Sequence, residues 1–309
     1  MKAVRNAPPG VEVIDIDEPE GVGELVRIRG AGICASDLSY LRWGSTQIAG
    51  HEFAGQMQDG TAVAVEAIFG CPSCPQCDEG HYNMCERGVV GLGLTDPGGM
   101  CEWFRAPQRA LVPLPEGLGV ANAFLVEPAS VARHSCHVGE VGPGSRVAVV
   151  GAGAIGILVA ASAQSMGAAE VALVARHRHQ HEAREMIGVE EPTDRYDVVI
   201  ETGGTNGALH EAVALARTRG RVVYVGAYQD EGPWPYMEAF QREIAFVGSL
   251  GYSAHAGRRE FAESADMLAT RPELVETLVT HRFPIEDAAE AFRTAQDRSK
   301  GVFRVVVEP

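Results

Sequence analysis

The chain has 309 residues, 46% of them apolar and 22% charged, with a net charge of −15. That length exceeds one ordinary core and predicts two domains of a globular protein. An acidic balance without a basic run argues against a nucleic-acid partner. The longest apolar run, near residues 147–163, is broken by three glycines and is too short to span a membrane. The opening "MKAVRNAPPGVEVIDIDEPE" has no apolar h-region, so the expected location is the cytoplasm. In that reducing compartment, clustered cysteines point to metal or redox chemistry rather than disulfides.

Over the first 115 residues, "GELVRIRGAGI", "GTAVAVEAI" and "ALVPLP" read as short strands bounded by Gly, Pro and Asp. The texture changes near residue 120, where "VANAFLVEPASVARHSCHVG" predicts a helix. "SRVAVV" is then a wholly apolar strand of the buried parallel type. A helix "AIGILVAASAQSMG", strands "EVALVA" and "RYDVVIET", a helix "GALHEAVALAR" and a strand "GRVVYVGA" follow. This alternation predicts an α/β fold with a doubly wound parallel sheet, inserted into a β-rich domain. The chain closes with an amphipathic "REFAESADMLA", then "LVTHRFPIEDAAEAFRTAQ" and a last strand "VFRVVVE".

Gly151, Gly153 and Gly156 form G-x-G-x-x-G between the strand "SRVAVV" and a helix opening at Ala154 and Ile155. The first glycine turns the chain, the second admits a pyrophosphate, and the third lets helix pack on strand; the helix N-terminus supplies free N–H groups. A dinucleotide site is expected here. The strand "EVALVA" ends in Ala175, where a carboxylate would bind the ribose 2′-OH of NAD. With Arg176 and Arg178 beside it to meet a 2′-phosphate, NADP is expected ahead of NAD.

Four of seven cysteines, Cys71, Cys74, Cys77 and Cys85, are spaced C-x₂-C-x₂-C-x₇-C. Four thiolates make a closed tetrahedral zinc site, and in a loop with Pro72, Pro75 and little apolar content metal would replace the missing core. Cys101 and Cys136 read as packing residues. Cys34, His51, Glu52 and Glu127 offer thiolate, imidazole and carboxylate donors that together suit a zinc with an open position. Singly, each also suits a bland role in core, turn or surface, and composition does not unite them.

Together, "GICASDLSY", "GHEFAG", the cysteine lobe, "EPAS", "VAVVGAGAIG" and "LVTHRFPIEDAAEAF" resemble, in order and over nearly the whole chain, the zinc-dependent medium-chain dehydrogenases. The likeness is greatest to the sorbitol, polyol and threonine dehydrogenase branch. It implies a GroES-like catalytic domain at residues 1–124 with a structural zinc lobe at 70–88, a Rossmann domain at 125–253, and a return to the catalytic domain at 254–309. It implies one catalytic and one structural Zn²⁺ per chain, and interconversion of a secondary alcohol or polyol and its ketone. Cys34 and His51 match catalytic zinc ligands, Glu52 a ligand or a group just behind the metal, and Glu127 a carboxylate on the metal or its water. Ser36 matches the hydroxyl that relays the substrate proton. Tyr40 matches a substrate-side tyrosine, while Val225 and Leu250 lie by position near the nicotinamide. Asp37 is expected to order the site, and Ser39 stands where some relatives have a shuttle histidine. Trp43 is either a substrate wall or a packing aromatic. A homodimer or homotetramer acting on a small molecule is implied, without a membrane partner. A zinc-free enone or quinone reductase, or a non-catalytic cofactor binder, is the alternative.

One departure stands out. Between Ala175 and Asp197 there is room for one helix, "HQHEAREMIG", so the outermost strand of the Rossmann sheet and its crossover helix are expected to be missing or vestigial.

Overall fold

The computed structural model describes residues 1–71, 73–226, 228, 232–297 and 300–309, so Pro72 of the cysteine lobe lies outside the described residues. The chain divides into two compact units, Met1–Pro128 with Ser253–Pro309, and Ala129–Tyr252.

In the first unit, strand Glu24–Gly32 is the hub of a seven-stranded sheet. It pairs antiparallel with Glu52–Met57, Trp103–Ala106 and the closing strand Arg304–Glu308. Ala62–Val65 and Leu111–Pro113 extend one side, and Val279–Pro284 joins Arg304–Glu308 in parallel on the other. The alternation of "ELVRIRG" sends Val26 and Ile28 into a core with Phe53, Val63, Val65 and Phe292. Helix Ala288–Gln296 seals this core with Ala288, Ala291 and Phe292, spaced as one helical face. The run expected to be a helix from residue 120 divides into a 3₁₀ stretch, Val120–Leu125, and an α-helix, Val126–Val138. Continuous apolar character across the junction, including buried Ala123, Phe124, Leu125 and Val126, gives periodicity nothing with which to mark it.

The second unit carries five parallel strands in the order Glu170–Val174, Arg146–Val150, Tyr196–Glu201, Ala216–Tyr224 and Ala245–Gly248. This is the doubly wound order with the outer strand reduced to one parallel bridge, Ala172 to Glu190, closed by Leu173 N–H donating to Glu190 O at 2.9 Å. A single helix, Arg178–Met186, precedes that bridge, and the chain crosses directly to Tyr196. Arg146, at the foot of the first strand, pins the crossing. Its guanidinium donates to Glu170 at 2.6 Å and to the Arg195 carbonyl at 2.9 Å, and stacks 5.0 Å above the Tyr196 ring. Hydrogen bonds and a cation–π contact thus hold what a crossover helix would otherwise cover.

Candidate active site

Helix Ala35–Arg42 begins at Cys34, whose extended backbone caps it. Asp37, at the third helical position and 1% exposed, accepts from the Cys34 N–H through Oδ2 at 2.8 Å. Its other oxygen, Oδ1, stands 3.2 Å from His51 Nδ1, in ion-pair range without hydrogen-bond alignment. One carboxylate therefore holds two candidate ligands, the cap residue of a helix and the histidine that leads into strand Glu52–Met57. With Nδ1 turned to Asp37, His51 Nε2 faces the Ser36 hydroxyl at 3.2 Å. Burial pushes the His51 pKa down, but Asp37 and Cys34 together outweigh it and raise it well above the ordinary value.

The donor atoms of Cys34, His51 and Glu52 all lie within 4.8 Å of one another. Glu52 is fully buried, and among the described residues neither of its oxygens accepts a hydrogen bond. Arg304 Nη2 stands 3.3 Å from Glu52 Oε1 as an ion pair. A thiolate, an imidazole and a carboxylate with free lone pairs in one buried cluster are a donor set that fits Zn²⁺. Glu127 is not part of that 4.8 Å set. It is buried beside it, and burial lifts its carboxyl to about 8, His51 pulling it down and Glu52 pushing it further up. Ser36 and Tyr40, one helical turn apart, are half-buried beside the cluster, as is Cys34, whereas Asp37, His51 and Glu52 are buried. Burial raises the Tyr40 pKa, with His51, Cys34 and Asp37 near enough to act on it. Ser39 is engaged in its own helix, accepting from Arg42 at 2.8 Å and donating to Ala35 O at 3.4 Å. Trp43 is 75% exposed and packs edge-on to Tyr40 at 5.7 Å.

The four lobe sulfurs also converge within 4.8 Å, and Cys74 and Cys85 stand 3.9 Å apart. Zn–S bonds of 2.3 Å in a tetrahedron require about 3.8 Å. Backbone N–H groups of Cys77 and Glu86 draw the Cys74 pKa down to about 6, and burial pushes Cys77 up to about 12. Four converging sulfurs at that spacing, with Cys74 drawn towards the thiolate and no side-chain carboxylate in the set, fit a metal-built brace. Beneath it, Tyr82 donates to buried Glu66 at 2.8 Å, and Arg259 closes an ion pair on the same carboxylate. Cys101 and Cys136 are buried apart from both clusters.

In the second unit, Gly151 takes φ +107°, and a Cβ there would stand 2.9 Å from Thr202 Oγ1. A Cβ on Gly156 would run into the Gly151 carbonyl, so both positions need glycine. A Cβ on Gly153, which caps helix Ala154–Ser165, would meet nothing within 4 Å. That clear space before free N–H groups, which begin at Ala154 and Ile155, fits a pyrophosphate. Sheet register sets Val150 level with Val174 and Glu201, so Gly151, Ala175 and Thr202 share the carboxyl edge. Ala175 is buried; Arg176 and Arg178 are exposed, paired with Glu211 at 2.7 Å and Glu182 at 3.2 Å. Val225 N–H donates to Glu201 O at 2.9 Å, and Leu250 is 67% exposed.

Three groups escaped the sequence reading. Arg304 is one, though a cation inside the apolar strand "FRVVVE" was a visible anomaly. The Glu66–Tyr82–Arg259 network joins residues 193 apart, which no local pattern reveals. Glu201, fully buried, accepts from Gly203 and Gly204 N–H at 2.6 and 2.8 Å and from Tyr228 at 2.5 Å, ordering the loop after its strand.

Two protein families match the chain in succession. The alcohol dehydrogenase GroES-like domain covers residues 23–116, and the glucose dehydrogenase C-terminus covers 120–305, more than half the chain. The chain belongs to the medium-chain dehydrogenase/reductase family. The dehydrogenase is 29% identical to L-galactonate-5-dehydrogenase of Escherichia coli over 301 residues, 87% of this chain and 86% of that protein. It is 28% identical to sorbitol dehydrogenase of Bombyx mori over 325 residues, 93% and 92% of the two chains. Among solved structures, galactitol-1-phosphate dehydrogenase from Escherichia coli superposes with a TM-score of 0.89 at 25% identity, covering all of both chains.

Proposed function

We propose that the chain is a zinc-dependent, NAD(P)-linked dehydrogenase interconverting a secondary alcohol of the polyol or sugar-acid class and the corresponding ketone, with NADP preferred. The observation that carries this reading is the Cys34–His51–Glu52 cluster, whose fully buried carboxylate accepts no hydrogen bond among the described residues, built by Asp37 at the mouth of a helix. Relatives at 28–29% identity act on L-galactonate and sorbitol by name, which supports the substrate class.

Cys34, His51 and Glu52 would hold the catalytic zinc, with Glu127 buried behind them as a further carboxylate on the metal or its water. A zinc ion held there supplies Lewis acidity, acidifying a bound alcohol or polarising a ketone towards hydride. Gly151, Gly153 and Gly156 would seat the dinucleotide, which would supply the hydride acceptor. The Ser36 hydroxyl, 3.2 Å from His51 Nε2, accepts the substrate hydroxyl proton and passes its own outward, with Tyr40 one turn further along the same helix face. Ser39 is spent on its helix and is not part of that relay. Asp37 holds the imidazole tautomer that leaves Nε2 as ligand atom. The cysteine lobe, seated on Glu66 and Arg259, would carry the second, structural zinc.

Metal analysis with cofactor reduction over a panel of polyols and sugar acids tests this. The expected result is two zinc ions per chain and turnover lost in Cys34→Ser while one zinc stays. One zinc per wild-type chain, confined to the lobe, with activity intact would favour a zinc-free reductase.

A further inference from the structure

Strand Glu170–Val174 buries Ala172 and Val174 in one cluster with Ala208, Leu209, Ala212 and Val213 of helix Asn206–Leu215. Alternation along the chain carries Arg176 to that same side. There its Nη2 donates to Glu211 Oε2 at 2.7 Å, spanning from the end of the second strand to the helix that follows Glu201. Arg176 is 62% exposed at its side chain and Glu211 34%, so the pair closes at the surface beside Ala175, level with the glycine turn. The other nearby cation, Arg178, is 90% exposed and loosely held by Glu182 one helical turn on. The N–H groups of Arg176 and of the cap residue His177, just ahead of helix Arg178–Met186, are already taken, since Gln180 Oε1 accepts from both. A phosphate arriving at Ala175 therefore finds the two nearest N–H groups occupied and two cations beside it, the better placed of which is engaged.

We infer that Glu211 is a specificity-determining residue that tempers NADP preference by competing with the 2′-phosphate for Arg176. This rests on the reading that the end of strand Glu170–Val174 receives the adenosine ribose. A 2′-phosphate must draw the guanidinium out of its ion pair and also approach a carboxylate. A 2′-hydroxyl meets neither demand. NAD binding is therefore indifferent to Glu211, and NADP binding is weakened by it.

Calorimetric titration with 2′,5′-ADP and with 5′-AMP reads this directly, because the two probes differ only in the phosphate and neither turns over. In Glu211→Gln, affinity for 2′,5′-ADP rises about two- to five-fold, the range set by one exposed ion pair, and 5′-AMP is unmoved. Glu211→Lys removes the competitor, adds a cation and gives a larger gain, and raising salt to 0.5 M compresses both effects. Arg176→Ala erases the gain when combined with Glu211→Gln. Thermal melting of each variant confirms the fold, and both side chains are surface groups. If Glu211→Gln leaves 2′,5′-ADP binding unchanged while Arg176→Ala weakens it, the competition is refuted and the NADP reading stands. If the Arg176→Ala, Arg178→Ala double variant binds both probes like the wild type, both fall together.

Discussion

Replacing Asp37 by Asn separates the ordering of the metal cluster from the folding of the helix that carries it. The side chain is isosteric, and its remaining carbonyl oxygen still accepts the Cys34 N–H, now 2.8 Å from Oδ2. What disappears is the negative charge 3.2 Å from His51 Nδ1. Loss of such an outer partner typically costs about 10- to 100-fold in metal affinity or activity, roughly 1.4–2.7 kcal/mol. Asp37→Ala should add about 1–3 kcal/mol for the stranded Cys34 N–H, the capping contact that Asn keeps. The two variants therefore differ in kind: Asn loses zinc and turnover with a nearly unchanged melting temperature, and Ala also melts earlier. Competition for zinc with a chromophoric chelator, kcat/KM, and thermal melting of the chelated protein measure the three quantities. An Asn variant that keeps wild-type zinc affinity and kcat/KM would show that Asp37 only caps the helix.

Four further outcomes follow from the same structure. Cys74→Ser should cost one zinc per chain and lower the melting temperature, while zinc-normalised kcat in the folded fraction stays within a few-fold; loss of turnover at constant fold would place chemistry in the lobe. Gly32→Ala puts a methyl group into the Glu52 carboxylate and the Phe124 ring, so catalytic zinc should be lost along with about 1–3 kcal/mol of stability, read by metal analysis and denaturant midpoints. Arg146→Ala unpins the crossing at Arg195 and leaves Tyr196 uncovered; hydrogen exchange should quicken first in residues 190–196, and uniform exchange would count against the pin. Burial pushes the Asp197 carboxyl up, but the Arg146 N–H and the Arg217 guanidinium, at 2.9 and 2.5 Å, bring it below its ordinary 3.8. Because the folded pKa is the lower one, its stabilisation is full above pH 3.8 and is lost as pH falls through the depressed value. Asp197→Asn should therefore lower the urea midpoint at pH 6 and converge on the wild type in strong acid.

The sequence carries local chemistry well and distant chemistry badly. Cys34, Ser36, Asp37 and Tyr40 lie within seven residues of one helix entry, and the motif itself announces them. His51 and Glu52 are adjacent, and the strand pairing of Glu52 with Gly32 brings them to that helix entry. Arg304, by contrast, reaches Glu52 only because the closing strand pairs with Glu24–Gly32, some 270 residues earlier. No periodicity records that partnership, and only the oddity of a charge in an apolar strand hints at it. The missing outer strand was legible as a shortage of chain between Ala175 and Asp197. How the chain survives that shortage was not, because Arg146 acts through a carboxylate on one segment and a carbonyl and a ring on another.

That shortening also bears on the cofactor. In a full doubly wound sheet the end of the second strand is flanked by a third, which helps fix what surrounds the ribose. Here, among the described residues, the only pairing beyond Glu170–Val174 is the bridge at Ala172, two residues below the last strand residue. The carboxyl end, Val174 onward, is left to side chains. Arg176 reaches across to helix Asn206–Leu215 and is caught by Glu211 at the surface, and Arg178 stays in solvent. Charges held by side chains at an open edge are adjusted by single substitutions without touching a core. Cofactor choice in this chain should then move with surface charge more readily than in a sheet whose third strand walls the ribose. Grafting an acidic residue at Ala175 tests that: Ala175→Asp should turn preference towards NAD by repelling the 2′-phosphate and accepting the ribose hydroxyl. The expected reversal is at least ten-fold in the ratio of kcat/KM for the two cofactors, and a ratio left unchanged would mean the ribose lies elsewhere.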